Sequence, residues 1–474
     1  MDRSRLLTLI VLCAGALMAI VDETIVAVSL PAIQRDLGFT PSGLAWVTSA
    51  YLIAFGGLLL LFGRLGDVLG RKRVFLAGLA VFTAASAACG LAWSAPVLLV
   101  ARFVQGAGAA ALTAVVLGMI ATLFPEPGER AKAIGAFSFV QASGGTIGSL
   151  SGGLITQAAS WHWIFAVNVP IGAAALGFAA RLLPSEPGRT TSRTDVPGAV
   201  LVTAALMTLV CTITNAEQHG WASTRTAGFG AAALALLAGF VARQASAETP
   251  LLPLRLFRSR RLSGANVVLF LLVAAMFGFM FTTVLYLRQV AGLSAQSTGA
   301  AMIPPAAVIA AVSLGLSAKL NARFGERRVL LVGLALLVLG LGLLGRLPLD
   351  ALYATDVLPG LLVLGVGFGM AMPALMAQGM ADATPADAGL LSGVYNTTQQ
   401  VGGALGLAVL AVVAATRTES LRAAGAEPAL ALLGGYHAAY LTGMGAVAVA
   451  LLVASAALRS PAGAALPVLT RSAE

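Results

Sequence analysis

A chain of 474 residues that is 58% hydrophobic and 10% charged, with a mean hydropathy of +0.92, carries too much apolar surface for a soluble globular protein. Its net charge of +10 is spread over alternate loops instead of one face, which argues against a nucleic-acid partner. The three cysteines and three histidines form neither a disulfide framework nor a metal spacing, and no G-x-x-x-x-G-K-[ST] loop is present to bind ATP.

Apolar runs long enough to cross ~30 Å of hydrocarbon fall near 6–30, 45–63, 74–94, 97–122, 133–157, 162–182, 197–216, 226–243, 264–287, 299–320, 328–346, 357–380, 389–415 and 436–457, fourteen in all. The fold class expected is an all-α polytopic membrane protein. The first run follows Arg3 and Arg5 but is too long for a signal-peptide core and continues into Asp22, so it reads as a retained span. Basic residues collect in loops that stay in the cytoplasm. With an even number of spans, roughly 22 of the 29 fall on one side, placing both termini in the cytoplasm.

Asp22 and Glu23 lie inside the first run. A carboxylate there costs about 3 kcal/mol to insert, which makes it a functional-site candidate by default; the alternative is a structural ion pair. Neighbouring helical residues point about 100° apart, so the two cannot face one cavity squarely. Arg102 stands roughly 9 Å along the helix from Pro96, and Asp22 roughly 13 Å from Pro31. Both are in the outer half, so they are expected to pair, and a conformational change that separates them would alter proton affinity.

After the second run comes Gly63-Arg64-Leu65-Gly66-Asp67-Val68-Leu69-Gly70-Arg71-Lys72-Arg73, which returns 255 positions later as Ala318 to Arg328, with Ala322 in place of Asp67. Repetition of whole helical bundles is a common plan for secondary transporters. Asp67 can meet a helix N-terminus or a basic side chain such as Arg130, latching the two halves; alternatively the loop with its Arg71 and Lys72 only fixes topology. Gly144, Gly148, Gly152 and Gly153 have the spacing that lets a fifth span approach a partner closely. Leu251 to Arg261 alternates apolar and basic residues around Pro253, as a segment on the membrane surface would. Polar candidates for a substrate cavity are Gln105, Gln141, Asn168, Asn266, Thr283, Asn396 and Gln399. Met276, Met280, Met370, Met372 and Met376 are possible pliant walls or plain core.

The Gly63-to-Lys72 loop resembles the signature between the second and third helices of the major facilitator superfamily. Asp22-Glu23-Thr24 through Pro31, Arg102-Phe103-Val104-Gln105-Gly106 and Gly144 to Gly153 resemble motifs of its fourteen-helix drug:proton antiporters, with Ala27, Ser29 and Ser149 departing from the pattern. Trp161 to Phe165, Asn168-Val169-Pro170, Leu251 to Phe257, and Ser392 to Gly403 extend the resemblance over nearly the whole chain.

The resemblance implies a six-helix bundle over 1–183, two inserted helices over 184–255, and a second six-helix bundle over 256–474. It also implies proton-coupled export of drugs, antibiotics or similar amphipathic compounds from a bacterial cytoplasmic membrane. The protein is expected to need no cofactor or metal, to bind no nucleic acid, and to act as a monomer in lipid, as a transporter and not an enzyme. It selects Asp22 as the carboxylate lining the pathway, with Glu23 touching a neighbouring helix or sharing the proton and Arg102 as partner. It has the fifth-span glycines sealing the two halves against proton leak. An importer or uniporter of a small metabolite, and a non-transporting receptor or scaffold, are the competing readings.

Overall fold

A computed structural model describes residues 3–458 except 185–194, 221, 249, 253–258 and 381–387; within 125–150 only positions 126, 129, 133, 137, 140, 144, 147 and 148 are described. Among the described residues every regular element is a helix. The first half comprises α1 (Arg3–Leu37), α2 (Pro41–Leu69), α3 (Arg71–Gly90), α4 (Ala95–Leu123), the short α5 (His162–Ala166) and α6 (Asn168–Leu182). A hairpin follows, α7 (Val196–His219) and α8 (Thr224–Ser246). The second half comprises α9 (Arg260–Gln289), α10 (Ala295–Ala301), α11 (Ile303–Ala311), α12 (Ser317–Phe324), α13 (Glu326–Leu344), α14 (Leu358–Met380), α15 (Ala388–Ala423) and α16 (Pro428–Ala457).

Twelve helical runs among the described residues are long and apolar enough to span a membrane. Of the two remaining expected spans, 299–320 is the interrupted run α10–α12, and 133–157 lies largely outside the described residues, those described from 144 to 158 being helical. The protein is therefore an all-helical, multi-span membrane protein. In hydrocarbon each backbone amide must be satisfied within its own segment, which is why apolar runs of this length become helices.

The repeat read in the sequence has a structural counterpart. Gly70, between α2 and α3, and Gly325, between α12 and α13, turn the chain with φ of +92° and +83°, a conformation that disfavours any side chain. Gly78 lets α3 close on Gly108 of α4, and Gly333 lets α13 close on Gly367 of α14. The offset between halves is not constant. The N-caps of α2 and α10, Thr40 and Ser294, lie 254 apart and accept equivalent bonds from Gly43 and Ser297 N–H. Gly70 and Gly325, and likewise Gly78 and Gly333, lie 255 apart. The extra residue is absorbed in a π-helical turn at Val312–Leu316, the usual way a helix accommodates one insertion.

The halves meet along α2 and α15, which run antiparallel. Ser49 Oγ donates to Ala404 O at 3.2 Å, Gly56 lies against Gln400, and Leu60 against Gly393. Helix α7 packs on α2, where Gly57 admits Thr203. At its start Asp195 accepts from Gly198 N–H, Arg243 Nε and Gln244 Nε2 at 3.1, 2.9 and 2.8 Å. Gln244 Oε1 in turn accepts from Leu252 N–H at 2.9 Å. Leu251 is buried against Leu61 and Ala199, so this end of the segment expected on the membrane surface is packed into protein; residues 253–258 lie outside the described residues.

Candidate functional site: a buried ion pair beside an unpartnered carboxylate

Five helices converge on Asp22. It sits on α1, nine residues before Pro31, which lies within α1. Arg102 and Gln105 come from α4, three apart and therefore on one face. Ser86 and Cys89 come from α3 at the same spacing, Asn168 opens α6, and Tyr51 comes from α2. Asp22, Arg102 and Gln105 are all fully enclosed, at 0% exposure.

Arg102 Nη1 donates to Asp22 Oδ2 at 2.5 Å and to Gln105 Oε1 at 2.7 Å. The other carboxylate oxygen accepts from Gln105 Nε2 at 2.8 Å and from Asn168 Nδ2 at 3.0 Å. Gln105 Nε2 also donates to Ser86 Oγ at 2.6 Å, and Cys89 Sγ donates to Gln105 Oε1 at 3.6 Å. Arg102 Nε donates to Val47 O at 2.9 Å. Its guanidinium lies 4.3 Å from the centre of the Tyr51 ring and 5.7 Å from that of Phe165. Tyr51 is fixed by its hydroxyl donating to Ala19 O at 3.1 Å. This meets the condition under which a desolvated ion pair persists, namely extra donors that satisfy the remaining lone pairs.

Two groups stand outside this closed network. Arg102 Nη2 is buried without a hydrogen-bond partner among the described residues. Glu23, next along α1, is half-buried and makes no hydrogen bond or ion pair among the described residues, although the charges of Arg102 and Asp22 both act on it. Asp22, expected to line the pathway, is enclosed with Arg102, while Glu23, expected to touch a neighbouring helix or to share the proton, is half-buried. The roughly 100° between them turns Asp22 into the first-half bundle and leaves Glu23 partly exposed.

Gly144, Gly148 and Gly152 of the fifth span close on α1. A Cβ on Gly144 would lie 2.6 Å from Ile20 Cγ2, one on Gly148 would lie 2.8 Å from Val21 O, and one on Gly152 would lie 2.7 Å from Ile25 O. Thr24 Oγ1 donates to Gly144 O at 3.3 Å. The close approach expected of these residues is present, but its partner is the stretch of α1 carrying Asp22 and Glu23. Gly153 is buried.

Two of the expected latch residues, Arg71 and Lys72, have hydrogen-bond partners in the first half. Arg71 Nη1 donates to Gly118 O and Thr122 Oγ1 on α4 at 3.0 and 3.1 Å. Lys72 Nζ donates to Ala180 O and Leu183 O at the end of α6, at 2.9 and 2.6 Å. Both cations thus meet carbonyls at helix C-terminal ends, where the dipole favours them. Gly63 is half-buried and Gly70 supplies the turn. Arg130, Gln141 and the side chain of Asp67 lie outside the described residues.

Of the expected cavity residues, Gln105 and Asn168 belong to the Asp22 network. Asn266 Oδ1 accepts from Thr398 Oγ1 at 2.9 Å, joining α9 to α15. Thr283 pairs with the Tyr440 hydroxyl at 3.0 Å, joining α9 to α16. Asn396 is exposed and Gln399 half-buried on α15. Sequence reasoning did not single out Tyr51 or Ser86. Their signal was faint: a tyrosine and a serine within apolar spans, one turn or less from nothing charged.

A two-fold repeat of spanning helices is a plan shared by many transporters. The chain belongs to the Major Facilitator Superfamily, whose family model matches residues 12–407. It is 38% identical to the cephamycin export protein CmcT of Amycolatopsis lactamdurans over 86% of this chain and 85% of that one. It is 36% identical to the puromycin resistance protein pur8 of Streptomyces alboniger over 96% and 90%. It is 35% identical to the tetracenomycin C resistance and export protein of Streptomyces glaucescens over 86% and 76%. Among solved structures, the inward-facing, unoccupied bacterial homolog of the human lysosomal transporter Spinster shares the fold, with a TM-score of 0.69 at 18% identity over 98% of this chain and 100% of that one.

Proposed function

We propose that the protein exports antibiotics or similar small amphipathic compounds across a bacterial cytoplasmic membrane in exchange for protons, working as a monomer with both termini in the cytoplasm. The observation that carries the export reading is the naming of its relatives, which are antibiotic export or resistance proteins matched over most of both chains. Coupling to protons rests on the geometry around α1. Asp22 is held by Arg102, Gln105 and Asn168 and stays with its guanidinium. Glu23 has no such partner among the described residues. When Glu23 is protonated, Arg102 belongs wholly to Asp22. When it is deprotonated, two carboxylates compete for one guanidinium whose Nη2 is unspent.

That competition pulls on α4 and on the glycine-packed face of α1, and so links a proton to the disposition of the helices that line the path. A cationic compound occupying the space at Glu23 would displace the proton by its charge. The test is uptake into inside-out vesicles of a panel containing a cephamycin, puromycin and tetracenomycin C. We expect accumulation of at least one compound that a protonophore abolishes. Accumulation indifferent to a protonophore, or uptake in the opposite direction, contradicts the proposal.

A further inference from the structure

Arg102 belongs to α4 by sequence, but α2 supplies much of what holds its guanidinium. Nε donates to Val47 O at 2.9 Å, and the guanidinium carbon lies 4.3 Å from the centre of the Tyr51 ring, about one helical turn further along α2. At the same level α4 presses on the backbone of α2, since a Cβ on Gly106 would meet Tyr51 O. Tyr51 also reaches α1, where its hydroxyl donates to Ala19 O at 3.1 Å. That carbonyl heads the helical turn that carries Asp22 and Glu23. One side chain, at 0% exposure, thus touches both the cation and the turn that bears the two carboxylates.

The opposite face of α2 meets the second half. Val47 and Tyr51 point within about 40° of each other, whereas Ser49, Gly56 and Leu60 point about 180–220° away from Val47. Those three touch α15: Ser49 at Ala404 O, Gly56 at Gln400 and Leu60 at Gly393. Helix α2 is therefore interposed between the guanidinium and the other half. The attraction of a cation for an aromatic face is strongest where water is excluded, and it leaves the N–H groups of the guanidinium to the carboxylates.

We propose that Tyr51 is a positioning residue for coupling: its ring holds the Arg102 guanidinium against α2, so that a change in how Arg102 is shared between Asp22 and Glu23 is passed through α2 to its contact with α15. This rests on the transport reading above. Val47 O supports the same hold, but a backbone acceptor is available from any residue there, whereas the ring is particular to this side chain. The other ring near the guanidinium, Phe165, is farther off at 5.7 Å and comes from α5. Without the Tyr51 ring the guanidinium follows the carboxylates and leaves α2 in place.

The experiment compares the parent, Tyr51→Phe, Tyr51→Leu and a protein with a ring-trifluorinated phenylalanine in place of Tyr51, which keeps the shape of the ring and removes most of the negative character of its face. We expect Tyr51→Phe to keep most of the efflux. Tyr51→Leu and the trifluorinated protein should lose about tenfold in maximal rate at an unchanged half-saturating concentration. The fluorinated ring is close in size to the native one, so it preserves the comparison should Tyr51→Leu not fold. A second readout is the distance between nitroxide labels on Thr40→Cys and Arg417→Cys, both exposed at one end of α2 and α15, with the native cysteines replaced by serine. Adding Glu23→Gln, which keeps that side chain neutral, should shift the distance in the parent and in Tyr51→Phe but not in Tyr51→Leu or the trifluorinated protein. A trifluorinated protein as active as Tyr51→Phe, a label shift of equal size with and without the native ring, or no shift in the parent would overturn the proposal. The label distances are read without any substrate, so failure to find an exported compound would count against the transport reading and leave this test standing.

Discussion

Neutralising one member of the Asp22–Arg102 pair should be more damaging than neutralising both. In Asp22→Asn the guanidinium stays at 0% exposure with no counter-charge, and stranding a buried charge in this way costs about 3–5 kcal/mol. In Arg102→Met the carboxylate is stranded instead and escapes by taking a proton, which at neutral pH costs about 4 kcal/mol from its ordinary range. The double variant Asp22→Asn/Arg102→Met strands nothing, because Gln105 and Asn168 can still donate to the asparagine carbonyl. Its loss should be that of a few hydrogen bonds, about 1 kcal/mol each. The coupling in the double-mutant cycle should therefore be large, about 3 kcal/mol or more. The measurement is reversible unfolding of the four proteins in bicelles by steric trapping or denaturant. Single variants as stable as the parent, or a double variant whose loss equals the sum of the singles, would refute a pair that is buried and mutually dependent. Transport should stay lost in the double variant, which separates the stabilising role of the pair from its role in coupling.

Gly148→Ala should lower both folding yield and efflux, because a methyl there meets Thr24 and Val21 O on α1 and overpacking of this kind costs about 1–3 kcal/mol; unchanged efflux would show that α1 tolerates displacement. Asp195→Asn should loosen the α7–α8 hairpin and the following Leu251, by about 1.5–3 kcal/mol for lost charge-assisted bonds, as read by hydrogen exchange. Burial raises the Asp195 carboxyl, but the hydrogen bonds from Arg243, Gln244 and Gly198 N–H and the Arg243 charge outweigh it and hold the group below its ordinary value. A lowered folded-state value means its stabilisation is complete above the unfolded value and is lost only as pH falls through the folded one. Hairpin protection should therefore be flat from neutral pH down to about pH 4 and fall below it, and a loss between pH 6 and 8 would contradict the assignment.

Charge inside an apolar run is the clearest sequence signal, and it is what made Asp22 and Arg102 visible as a pair before any coordinates. Their neutral ligands were visible only as polar letters. Gln105 and Asn168 read as cavity residues because nothing local distinguishes an amide that donates to a carboxylate from one that faces a substrate. Which of Asp22 and Glu23 is enclosed depends on helix rotation, set by Gly144, Gly148 and Gly152 closing on α1, and that choice of partner is a tertiary fact. Arg71 and Lys72 were legible as a helix-junction cluster, whereas their acceptors, carbonyls at the ends of α4 and α6, have no side-chain signature.

Proton release from inside-out vesicles on adding an exported compound, compared among the parent, Glu23→Gln and Asp22→Asn, bears most directly on coupling at this site. We expect release from the parent, none from Glu23→Gln in a protein that remains folded and still binds the compound, and none from Asp22→Asn, whose Arg102 is stranded. Undiminished release from Glu23→Gln would contradict the central claim and return the transported proton to Asp22 or to a group elsewhere in the chain.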